Sequence, residues 1–137
     1  MFVVVDASVW VSRLVAEDVF HETVKQWMVE QREQNVEFVS PFLLLAEIGG
    51  AISRRTGIPA LGLDVIQQVE KLPGVRLVEM DNALLQDAAR LAAELGLRGA
   101  DATYAAVAVR LKLPFVTLDA DQKAKAKVKV TCWEITK

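Results

Sequence analysis

Two rhythms of apolar residues run through the chain. Short apolar runs, FVVV at 2–5, VEFVS at 36–40, VRLVEM at 75–80 and FVTL at 115–118, are separated by longer stretches whose apolar positions recur every three or four residues. The first rhythm predicts largely buried strands, the second amphipathic helices. Predicted helices are SVWVSRL at 8–14 with Ser8 as cap, residues 20–34 with Val24, Trp27 and Met28 on one face, and FLLLAEIGGAISRR at 42–55. Residues 61–72, 82–95 and 101–112 supply three more. The punctuation agrees. Pro41 suits the first turn of the third helix, Gly57 and Pro59 close it, Pro73-Gly74 makes a turn, and Gly96 ends the fifth. VTCWEI at 130–135 reads as a final strand.

Strands alternating with helices imply an α/β fold, with one domain over 1–137. Its expected core is a mostly parallel sheet of about five strands with helices on both faces. Ligands of such sheets gather outside the carboxyl ends of the strands. An apolar fraction of 53% with 25% charged residues supports a packed core and argues against disorder. Net charge is −2, so the chain is no general polyanion binder, and any nucleic-acid contact must be local or assisted by cations. The single cysteine, Cys132, allows no internal disulfide and no cysteine metal site. With no secretory pattern and no apolar run of the ~20 residues a membrane helix needs, the expected setting is a reducing cytoplasm without membrane contact.

Four carboxylates stand where solubility does not require them. Asp6 follows the first strand directly, and Asp119 follows FVTL, so both belong at the carboxyl edge; singly, each would pass as a turn or capping residue. Glu47 is the only charge in PFLLLAEIGGAI, with Leu43, Leu44, Gly50 and Ala51 around it at helical spacing. A carboxylate on so apolar a helix needs a partner, either a metal ion or an arginine such as Arg54, Arg55 or Arg98. Asp101, in RGADATYAAVAV, opens an apolar helix and is either its cap or a working group. Together the four form an oxygen-only set that suits Mg2+ or Mn2+, and such a site suits phosphoryl chemistry. The lone His21, among Glu22, Thr23 and Lys25, is expected on the surface and builds no zinc site.

The order VVVDASV, SPFLLLAEIGGAISR, GADATYAAVA and FVTLDAD resembles the PIN-domain ribonucleases, most of all VapC-type toxins, over nearly the whole chain. The resemblance implies that Asp6, Glu47, Asp101 and Asp119 are catalytic and bind the metal ions. Ser8 and Thr117 match supporting hydroxyl positions, and Asp121 is a further candidate. It also implies Mg2+- or Mn2+-dependent cleavage of RNA by a metal-activated water, oriented by Glu47 or Asp101. A homodimer and a cognate antitoxin whose tail covers the groove come with it. Trp10, Leu14, Phe20, Trp27 and Met28 are candidates for that interface, with core packing the default for most.

Arg54, Arg55 and Lys123 are candidate RNA contacts. The favoured reading of the lysine run KAKAKVKVT is solvated surface, and of the arginines a contact with the helix C-terminus. Competing functions are a catalytically silent RNA- or antitoxin-binding module, a Mg2+-dependent phosphatase and a receiver domain. The phosphatase wants an acid two residues after Asp6, where Ser8 stands, and the receiver wants an acidic pair after strand 1.

Overall fold

A computed structural model describes residues 1–135. Its elements are β1 (Phe2–Val5), α1 (Ala7–Leu14), α2 (His21–Glu33), β2 (Glu37–Pro41), α3 (Leu43–Thr56) and α4 (Pro59–Lys71). They continue as β3 (Val75–Val78), α5 (Asn82–Leu95), α6 (Gly99–Leu111), β4 (Phe115–Val116) and α7 (Ala120–Ala126). The sheet has the order β3-β2-β1-β4, with every pair parallel. Val3, Val4 and Val5 are all fully buried. Successive strand residues point to opposite faces, so both faces of β1 are covered.

From β1 the chain winds outward through β2 to β3, then returns to the other flank of β1 as β4. The strand order therefore reverses between β1 and β4, where parallel sheets open a crevice. Asp6 leaves the sheet there directly after β1, whereas β4 ends at Val116, so Asp119 does not follow its strand directly but stands three residues on, at the cap of α7. Edge-on Trp10 and stacked Trp27 pack against Phe38, pinning α1 and α2 to β2. Trp10, Trp27 and Met28 thus belong to the core, whereas Leu14 is half-buried and Phe20 exposed. Helices α3 and α4 touch through glycines: a Cβ on Gly62 would stand 2.6 Å from the Gly49 carbonyl oxygen.

Several boundaries differ from the sequence expectation. The described sheet has four strands, not five. Residues 130–135 give only one parallel bridge, Cys132 to Phe115, because β4 offers an edge two residues long. Pro41 ends β2 opposite Val78 and does not open α3; a proline, lacking N–H, is tolerated at the end of a ladder. Asp6, not Ser8, caps α1. Helix α6 starts at Gly99 with Arg98 at its cap, so Asp101 is its third residue, in the first turn rather than at the cap. Residues 120–126 form α7, an element the periodicity did not indicate. His21 is mostly covered, its side chain 13% exposed and Nδ1 3.0 Å from the Ser12 carbonyl oxygen.

The α1–α2 connection is fastened by Asp18. Its carboxylate accepts from Ser12 Oγ at 2.9 Å, from Phe20 N at 2.9 Å and from Arg55 Nη1 at 3.3 Å. Burial alone would raise this carboxyl; the three donors outweigh it and hold it below its ordinary value of 3.8. A carboxylate with a depressed folded pKa stabilises above its unfolded pKa, and that contribution is lost as pH falls through the folded value. Asp18→Asn is expected to cost about 1 kcal/mol at pH 7. In urea unfolding, the gap between wild type and variant should close as the pH drops below 4; a gap independent of pH would contradict this role.

Candidate active site

The chain carries Asp6 out of the central strand and immediately buries it, 5% exposed. Its Oδ2 accepts from Ser8 N at 3.1 Å and from Thr117 Oγ1 at 3.0 Å; its Oδ1 accepts from Gln122 Nε2 at 3.2 Å. Thr117 Oγ1 also lies 3.1 Å from Gln122 Oε1 but has one proton to give. The charged carboxylate is the stronger acceptor, so the proton goes to Asp6. Thr117 Oγ1 accepts in turn from Asp119 N, and Ser8 Oγ, 3.2 Å away, accepts from Leu118 N. Ser8 and Thr117 are thus tied to Asp6 and to each other in one hydrogen-bonded group. Gln122, only 2% exposed, was missed: on the sequence it is one polar residue in a polar run.

Glu47 projects from α3, whose Leu44 and Ile48 are fully buried. Its partner is not an arginine: Tyr104 donates its hydroxyl to Oε1 at 2.7 Å. Tyr104 and Asp101 stand three residues apart on α6, hence on one face. The helix that delivers Asp101 therefore also fixes Glu47. Burial, and then the charges of Asp6 and Asp101, push the Glu47 carboxyl up, against the pull of Tyr104. Asp101 is likewise raised, first by burial and then by Asp6, with Arg98 opposing and Asp119 adding to it. These mutual effects mark one shared electrostatic site.

Asp119 caps α7 through Oδ1, which accepts from Asp121 N and Gln122 N. Its Oδ2 lies 3.6 Å from Arg98 Nη2, while Arg98 Nε lies 3.5 Å from Asp101 Oδ2. One arginine, 82% exposed, therefore bridges two of the four acids. Asp121 sits outside, exposed and paired with Lys125 at 2.9 Å. Lys123 pairs with Glu134, and Arg55 with Asp18. Arg54 stays beside the acids, lining the same cleft as Glu47. Among the described residues no three His, Cys, Asp or Glu side chains are grouped closely enough to enclose an ion by themselves.

A family model for the PIN domain matches residues 3–128. The chain belongs to the PIN-domain family. The phosphatase and receiver readings end there. The fold of this PIN domain is similar to that of VapC20, the sarcin-ricin loop cleaving toxin of Mycobacterium tuberculosis. The TM-score is 0.77 at 21% identity, over 89% of this chain and 93% of that one. VapBC2 of Rickettsia felis, bound to a DNA fragment from its promoter, gives 0.68 at 14% identity, over 98% and 100%. PAE2754 of Pyrobaculum aerophilum gives 0.65 at 22%, over 96% and 89%. No curated protein matches the chain.

Raised carboxyls cost the folded state stability at neutral pH. Between the ordinary value of 4.5 and its raised folded value, Glu47 binds more protons folded than unfolded, so stability falls as pH rises through that window. Above the window the penalty is fully present. Glu47→Gln keeps the Tyr104 hydrogen bond and removes the charge. Its melting temperature in EDTA should exceed wild type by a few degrees at pH 7.5 and by less at pH 4.5. A lower melting temperature at pH 7.5 would contradict the repulsion.

Proposed function

We propose that this PIN domain is a metal-dependent endoribonuclease and the toxin of a type II toxin–antitoxin pair. In this reading Asp6, Glu47, Asp101 and Asp119 bind Mg2+ or Mn2+. The observation that carries it is the electrostatic reach of these acids on one another: beside a larger effect of burial, Asp6 and Asp101 raise the Glu47 carboxyl, and Asp6 and Asp119 raise that of Asp101. The residues present fit such an ion. All donors are oxygens, and the nearest cation, Arg98, answers only Asp101 and Asp119.

When bound, the metal would polarise the scissile phosphate and lower the pKa of a water. The protein's part is positioning. Thr117 and Gln122 fix both oxygens of Asp6, so its geometry is set before anything binds. Tyr104 occupies Glu47 Oε1, which leaves Oε2 to accept from the attacking water. Asp101 adds negative charge beside it, and Asp119 offers Oδ2 once Arg98 moves aside.

The antitoxin partner is supported by the kind of neighbours found, VapBC2 and FitAB among them. A groove of about 980 Å3 fits its role, with Trp10, Leu14, Met28, Phe38, Val69 and Leu72 as apolar lining. Arg13, Lys25, Arg32 and Lys71 rim it, so an acidic amphipathic segment is the complementary occupant. A homodimer in the cytoplasm completes this reading. Among the described residues no helix is long and apolar enough to cross a membrane.

The test is cleavage of mixed single-stranded RNA with Mg2+, with Mn2+ and with EDTA, beside Asp101→Asn. Cutting should require the metal and fall at least a hundredfold in the variant. Cutting in EDTA, or an unaffected variant, would overturn the assignment.

A further inference from the structure

Two clefts share a wall beside the carboxylates. One, of about 370 Å3, contains Glu47; the other, of about 470 Å3, contains Phe20, Leu118 and Asp119. Ser8, Ala51 and Arg54 line both, so the path from Glu47 to Phe20 passes Arg54. Phe20 is 45% exposed at the start of α2. Its ring lines the cleft that Arg54, Leu118 and Asp119 also line. Asp18 fixes the Phe20 backbone N–H and ties it to Ser12 and Arg55. Arg55 is thereby committed to Asp18, whereas Arg54 forms no ion pair among the described residues.

We propose that the Phe20 cleft receives one unpaired nucleotide of the RNA, adjacent to the bond that is cut. This rests on the nuclease reading and adds a substrate preference to it. The base lies against Phe20 and Leu118, and its phosphate meets Arg54. The volume is that of a small-molecule site and holds one nucleotide. Bases become available for stacking on an aromatic ring only where they leave the helical stack, so loops, bulges and single strands are selected over duplex. Arg54 lines both clefts, between Glu47 in one and Phe20 with Asp18 in the other, and this gives the site a direction: phosphate at Arg54, base at Phe20.

The test uses Glu47→Gln in Mg2+, so that RNA is bound without being cut, and a short single-stranded RNA with 2-aminopurine placed at each position in turn. One position should be quenched on binding. Phe20→Ala should abolish that quench and weaken binding about tenfold or more, as loss of a stacking platform does. Phe20→Trp should restore both. Arg54→Ala should weaken binding to every sequence and lower the salt slope by about one. A hairpin duplex of the same composition should bind less well. Wild-type cleavage is measured in parallel. If wild type cuts RNA but Phe20→Ala binds like its parent, the cleft is overturned and the nuclease stands. If the quench and its loss are seen but nothing is cut, the nuclease is overturned and the cleft stands. A parent protein that binds no RNA overturns the cleft.

Discussion

Asp6 keeps a carboxylate at the end of the central strand with almost no solvent, and the rest of the site is arranged around that fact. A buried carboxylate needs donors on both oxygens or it protonates. Here the donors come from α1, from the residue after β4 and from α7, elements more than a hundred residues apart in sequence. Satisfying one charge therefore locks the crevice shut at its base. It also sets the field that Glu47 and Asp101 feel, since the Asp6 charge raises both.

The strands, the long helices and their glycine stops were legible because burial and turn chemistry repeat along the sequence. Gly57 and Gly96 do adopt the left-handed conformation that ends α3 and α5. What escaped were features set by a neighbour. The last strand failed because the length of β4, not the apolarity of residues 130–135, limits pairing. Pro41 was assigned to a helix because its preference for helix starts is local, whereas its place opposite Val78 is tertiary.

Glu47 was readable as an anomaly, a charge alone on an apolar helix, whereas Asp6 and Asp119 after their strands stood out only in combination, and each does cap a helix. Their partners were not readable. Tyr104 looked like part of an apolar run, and only the crossing of α6 near α3 makes it the donor to Glu47. Arg98 looked like one of three possible partners of Glu47, yet it bridges Asp101 and Asp119. Asp101 itself proved to be the third residue of its helix, with Arg98 at the cap position and no side-chain capping hydrogen bond there. Pair identity depends on how helices cross, and spacing along one helix cannot encode it.

Asp101, Glu47 and Asp119 have fewer compensating cations than charges, a deficit that a divalent ion would fill under the proposed function. The most direct measurement is the melting temperature during a Mn2+ titration at pH 7.5 and at pH 5. A ligand that binds only the folded state stabilises by RT ln(1 + [L]/Kd). The account expects saturable stabilisation at pH 7.5 that shrinks at pH 5, where protons compete for Glu47 and Asp101, and that is lost in Asp101→Asn. No stabilisation at pH 7.5, or the same stabilisation in Asp101→Asn, would contradict it.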